Sequence, residues 1–188
     1  PQYNWGYDPK NYNAPEGSYS TDPFNGEVRI KEFKEMVKEV HKKGIRVVMD
    51  MVYNHTMKSF DSNLNLAVPG YYYRQDSKGN FSDGSACGNE TASERKMVRK
   101  FIVDSVLYWA KEFHIDGFRF DLMGLHDIDT MKEIRKGLDK IDKTILMYGE
   151  GWTCNESPLD RELAALKDNT YKYGDLQIAA FSDDARDV

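Results

Sequence analysis

Cysteine is scarce in this 188-residue chain, which carries only Cys87 and Cys154. Their spacing suits no metal site, and they allow at most one internal disulfide. No apolar run approaches the roughly 18 residues a transmembrane helix needs, so no membrane partner is expected. Positive charge is not concentrated anywhere: 26 Lys and Arg stand against 31 Asp and Glu, for a net charge of −5. Without a basic stripe there is no footprint for nucleic acid. No Gly-rich phosphate-binding turn follows any strand-like stretch, which argues against a dinucleotide fold. A signal peptide is missing too, but the chain opens Pro1-Gln2-Tyr3 without a methionine and reads as a piece of something longer. The compartment stays open between extracellular and cytoplasmic.

What is present suits a packed domain. The chain is 40% hydrophobic and 13% aromatic, which excludes disorder by composition. Twelve Tyr and three Trp supply core, or platforms on which sugars stack. Residues 1–28 are loop-like. Residues 29–43 read as an amphipathic helix with Ile30, Phe33, Met36, Val37 and Val40 on one face and Gly44 as its stop. Ile45 to Val52 is nearly all apolar, as expected of a strand buried on both faces. Residues 54–90 form a long polar loop, of a length uncommon unless functional.

Thr91-Ala-Ser-Glu94 has the form of a capping box for a helix whose apolar face runs from Met97 to Phe113. Ile115 to Leu122 reads as a strand. Asp127 is placed to cap a helix carrying Ile128, Met131, Ile134 and Leu138. Thr144 to Tyr148 is a strand, Leu159 to Lys167 a short helix, and Gln177 to Phe181 a last strand. Such β/α alternation predicts a parallel sheet. Polar residues cluster just beyond the strand C-termini, where barrel sites lie, so the fold class is α/β, a (β/α)8 TIM barrel. A whole barrel takes about 250 residues, so four strands make it a partial one.

Two strand ends carry carboxylates. In Asp116-Gly-Phe-Arg-Phe-Asp121, alternation puts Arg119 and Asp121 on one face and Phe118 and Phe120 on the other. A cation two residues away keeps Asp121 ionised, as a nucleophile requires. A structural ion pair would look the same. Glu150, in Tyr148-Gly-Glu-Gly-Trp152, lies between glycines that admit close neighbours, and Trp152 is apolar enough to desolvate it toward a general acid. Alone, it would be a turn glutamate. Asn54 and His55 close Asp50-Met-Val-Tyr-Asn-His55, where a neutral histidine could donate to a sugar hydroxyl. In Tyr3-Asn-Trp-Gly-Tyr-Asp8, Tyr7 and Asp8 pair a stacking ring with a hydroxyl acceptor.

Taken in this order, the segments beginning at Asp50, Asp116 and Gly149 resemble the first three signatures of the α-amylase family of glycoside hydrolases (family 13). The Tyr3 to Pro9 segment and Asp121-Leu-Met-Gly124 resemble type I pullulanases, the branch that cuts α-1,6 linkages in pullulan, starch and glycogen. The resemblance implies that residues 1–188 belong to one catalytic barrel domain, about strands 3 to 6, with 54–90 as the loop after the third strand. It implies Asp121 as nucleophile and Glu150 as acid/base. Arg119 would hold the nucleophile, His55 and Tyr7 would meet the sugar at the cleavage point with Asp8 beside them, and Trp152 would line the acceptor side. In many members the asparagine at Asn54's position binds calcium; its companion ligands are not traceable here, so no metal is assigned and no cofactor is required. The partner implied is an α-glucan.

The family's fourth signature, a His-Asp pair that supplies a third carboxylate, is not found, and the tail Phe181-Ser-Asp-Asp-Ala-Arg-Asp187 has no histidine. The chain alone is therefore expected to be inactive, and to be incompletely folded or self-associated through unpaired barrel edges. The competing readings are an α-1,4-acting amylase or neopullulanase, and a noncatalytic glucan-binding protein.

Overall fold

The structure, a computed structural model, describes residues 5–187. Tyr3 and Asn4 of the aromatic motif lie outside the described residues. Four strands form one parallel sheet in sequential order: β1 (Val48–Met51), β2 (Gly117–Phe120), β3 (Leu146–Gly149) and β4 (Ala179–Ala180). A doubly wound sheet would reverse direction about its first strands. This one does not, and it forms part of a (β/α)8 barrel. β1, β2 and β4 fall within the stretches that sequence pattern marks, and β3 starts two residues later and ends one residue later than its stretch.

Three long helices and two short ones accompany the sheet: α1 (Gly26–His41), α2 (Asn63–Ala67), α3 (Lys96–Phe113), α4 (Ile128–Leu138) and α5 (Asp183–Arg186). Asn25 caps α1, and Gly44 beyond its end takes a left-handed φ of 70°, which a side chain would resist. Asp127 caps α4 by accepting from the Thr130 amide, as its position predicts.

The core lies between one sheet face and α3 and α4. Phe118 and Phe120 pack there against Val106, Trp109, Met131 and Ile134. Two anchors tie the bottom of the sheet. Asp116 accepts from the Val47 amide at 2.8 Å and pairs with His41 at 2.7 Å, while the buried Arg135 donates to the Ile145 carbonyl. Asp116 and Asp121 thus lie at opposite ends of one strand, and only Asp121 reaches the top.

Several expectations fail for physical reasons. The Ile45–Val52 strand is buried on one face only: Met51 is covered, whereas Val48 and Asp50 face the open side. The capping box does not form, because Thr91, Ser93 and Glu94 all have other partners. Thr91 donates to the Tyr53 carbonyl, Ser93 to Asp127, and Glu94 holds Arg74, leaving Arg95 to begin α3 without a side-chain cap. Leu159 to Lys167 is a series of turns, and a 3-10 helix, Lys167–Lys172, follows it. On α1 only Val37 is fully buried; Ile30 and Met36 stay exposed.

The 54–90 segment holds α2 and the isolated bridge of Gln75 with Phe81, and its Tyr73 bridges to Thr91 just beyond it. Buried Arg74 ties it to the turn after β2 by donating to the Leu125 carbonyl and pairing with Glu94.

Candidate active site

Strand register brings polar groups from three strands level with one another on the open face. Asp50 lies opposite Arg119, and Arg119 opposite Tyr148. Asp121 and Glu150 follow directly on β2 and β3, where the Glu150 amide donates to the Phe120 carbonyl. Arg119 joins all three carboxylates. Its Nη1 donates to Asp50 at 2.7 Å and Asp121 at 2.9 Å, and its Nη2 to Glu150 at 2.6 Å.

The Arg119, Asp121 and Glu150 side chains are 15–18% exposed, screened yet reachable. Burial opposes the guanidinium charge, but Asp50, Glu150 and Asp121 outweigh it and raise the Arg119 pKa. Three carboxylates thus surround one cation, an arrangement that favours a positive charge developing beside them.

The turn after β2 is bent toward this cluster. Leu122 adopts a left-handed φ of 40°, unusual for a branched side chain, and its amide donates to Glu150 Oε2 at 3.0 Å. Both Glu150 oxygens therefore hold donors. Its flanking glycines are required by contact. A Cβ on Gly149 would lie 2.6 Å from the Phe120 carbonyl, and one on Gly151 2.6 Å from the Lys167 amide.

Tyr7 donates its hydroxyl to Asp50 at 2.6 Å; that bond, with burial and charge, pushes its pKa up to about 12. The Tyr7 and Phe181 rings flank Arg119, 6.0 Å and 5.9 Å from its guanidinium carbon. Trp152 pairs with Phe181 at 6.2 Å. Asp8 is exposed at the rim, within electrostatic reach of His55 and Cys87. Cys87 and Cys154 are both free and exposed.

His55 is buried. Its Nδ1 meets Asn54 Oδ1 at 2.5 Å, while Nε2 has no hydrogen-bond partner. Burial lowers its pKa and favours the neutral ring, against the pull of Asp121 and the Tyr7 carbonyl. The Asn54 nitrogen is committed to Asp121, so Oδ1 must accept and Nδ1 must carry the proton. Nε2 is then an acceptor.

Sequence reading passed over three parts of the site. Asp50 was available as the lone acid in an apolar strand, where an unpaired carboxylate would be costly. Phe181 had no local mark. The third is buried Glu90, which accepts from Ser82, the Gly84 amide and Ser157 and so locks the loop after β3 onto the loop after β1. Asp183, in the acidic tail, pairs with Lys167 instead of joining the cluster. An apolar cleft of about 580 Å³ between α1 and the free edge of β1 contains neither Asp121 nor Glu150. Among the described residues no group of three His, Cys, Asp or Glu is placed to hold a metal ion.

Comparison with known proteins agrees with this architecture. The family described as alpha amylase, catalytic domain, matches residues 1–162. A pullulanase of Bacillus subtilis (strain 168) is 46% identical over 163 residues, covering 87% of this chain and 23% of that protein. The chloroplastic pullulanase 1 of Arabidopsis thaliana is 40% identical, covering 99% of this chain and 20% of its own length. Among solved structures, the Paenibacillus barengoltzii pullulanase complexed with maltohexaose and alpha-cyclodextrin superposes with a TM-score of 0.95 at 55% identity. It covers all of this chain, which spans 28% of the pullulanase. Matched by the family over most of its length and sharing the fold at high identity, the chain belongs to the alpha-amylase catalytic-domain family.

Proposed function

We propose that this chain carries the central part of the active site of a retaining glycoside hydrolase that cuts α-1,6 linkages in pullulan and branched α-glucans. The observation that carries the reading is Arg119 gathering Asp121 and Glu150 at adjacent strand ends on the exposed sheet face. The similarity to pullulanases, several solved with maltooligosaccharides, supports the substrate class.

In the first step Glu150 protonates the glycosidic oxygen while Asp121 attacks the anomeric carbon. The C–O bond to the leaving sugar breaks and an Asp121–glycosyl ester forms. Water, deprotonated by Glu150, then cleaves the ester with retention. The acid step requires Glu150 to release one of the two donors it holds here. Tyr7 supplies the ring under the cleaved sugar, and His55 Nε2 accepts from one of its hydroxyls. Asp8 lies at the rim, and Trp152 with Phe181 forms the acceptor platform. A retaining mechanism calls for a carboxyl separation of about 5–5.5 Å.

The test is reducing-sugar release from pullulan by this chain and by the intact protein, side by side. Maltotriose from the intact protein alone is the expected result. Activity in the 188-residue chain would show that no carboxylate beyond this cluster is needed. Cleavage confined to α-1,4 linkages would replace the debranching reading with an amylase or neopullulanase.

A further inference from the structure

We propose that Asn54 is a positioning residue for Asp121, its carboxamide fixing the plane of the attacking carboxylate. The inference rests on the nucleophile assignment above and adds a residue to it. Asn54 is fully buried just beyond β1, on the strand next to the one that carries Asp121. Its Nδ2 donates to Asp121 Oδ2 at 2.8 Å and to the Asp121 carbonyl at 2.9 Å. Arg119 holds the other carboxylate oxygen, Oδ1, at 2.9 Å.

Each Asp121 oxygen thus has its own donor, one from its own strand and one from its neighbour. Rotation about Cβ–Cγ would break both bonds. The orientation of the amide is not free. Turned over, its oxygen would face two Asp121 oxygens and its nitrogen would face the His55 Nδ1 proton. The donor is neutral, so it orients Asp121 without spreading the nucleophile's charge onto a second cation. The Asn54 backbone carbonyl separately accepts from the Thr91 amide at 2.9 Å. Side-chain substitutions leave that bond in place.

The experiment isolates nucleophilic attack. A 5-fluoro-α-glucosyl fluoride forms the Asp121–C1 bond as the C1–F bond breaks, and fluoride leaves with the electron pair, needing no proton. Labelling of the Asp121 peptide is timed by mass spectrometry in the intact protein, for wild type, Asn54→Ala and Asn54→Asp. Losing a hydrogen bond to a charged group should slow labelling about 10–100-fold in both variants. For Asn54→Asp, which keeps the acceptor for His55, the KM for pullulan and the affinity for maltotriose should stay within about twofold.

A merely structural role would instead raise KM and weaken maltotriose binding, leaving the labelling rate at saturation unchanged; that outcome overturns the proposal. Should Asn54→Ala fail to fold, Asn54→Asp decides alone. It keeps the shape and the acceptor for His55, replaces the donor with an oxygen and sets a second carboxyl group beside Asp121, so labelling at the wild-type rate overturns the inference. Wild type labelled elsewhere than Asp121 would bring down the nucleophile assignment and the inference together. Wild type labelled at Asp121 with unaffected variants would bring down the inference only.

Discussion

On the helix-facing side of the sheet, Met51, Phe118, Phe120 and Met147 are 4% exposed or less. One residue away along the same strands, on the opposite side, Val48 is 38% and Leu146 44% exposed, and Asp50, Arg119, Asp121 and Glu150 meet. Two faces of a single sheet, built from alternate residues, have divided their duties. The covered face carries the packing that resists unfolding. The open face carries paired charges that packing would exclude. Substitution should therefore affect stability on one side and chemistry on the other.

The sharpest way to break this division is Glu150→Gln on the open face. Pullulan turnover by the intact protein should fall about 10²–10⁴-fold, the usual share of a general acid/base. Glucan affinity by calorimetry and the unfolding midpoint should be nearly unchanged. A noncatalytic glucan binder would show no functional loss at all.

Phe120→Ala, on the covered face, should do the reverse. It removes a ring packed against α3 and α4 and should cost about 3–5 kcal/mol by urea unfolding, with KM for the surviving folded fraction preserved. Loss of activity without loss of stability would sink the division.

Gly149→Ala tests the seam between the faces. The added methyl presses on the Phe120 carbonyl and the Met123 side chain, so β3 must shift and carry Glu150 with it. A cost of about 1–3 kcal/mol should accompany a fall in kcat. A change in only one of the two would show that the faces move independently.

Near neutral pH the smallest expected effect concerns His126, which is fully buried edge-on to Phe120 with both ring nitrogens unpartnered. Burial, aided by Arg74, lowers its pKa to about 4. The folded form thus binds its proton less readily than the unfolded chain, whose histidine titrates near 6.5. His126 is at no disadvantage above about pH 6.5. Between there and about pH 4 the unfolded state gains protons, and stability should fall by up to about 1.4 kcal/mol per pH unit. His126→Leu should flatten that slope in urea midpoints measured across the window. An unchanged slope would assign acid sensitivity to other groups.

Much of this was legible in the residues. Alternation in Ile115 to Leu122 separates Phe118 and Phe120 from Arg119 and Asp121 before any coordinate is known. Asp127 was readable as a cap because its contact with Thr130 is three residues away. Thr91, Ser93 and Glu94 were misread as a capping box for the complementary reason. The motif is local, but their actual partners, Tyr53, Asp127 and Arg74, lie 38, 34 and 20 residues distant. His55 could be placed at a strand end, yet its polarity depended on which way Asn54 turned, and Asn54 turned toward Asp121.

The sequence by itself determined the β/α alternation, the inward parity of Arg119 and Asp121, and the presence of acids where strands end. Each follows from backbone periodicity within a few residues. Tertiary structure alone decided that Asp50 joins the cluster, that Tyr7 binds Asp50 across 43 residues, and that Asn54 reaches Asp121 across 67. Those pairings depend on strand order and register. These emerge only when side chains distant along the chain are packed on a common sheet, where a buried charge must find whichever partner the neighbouring strand presents.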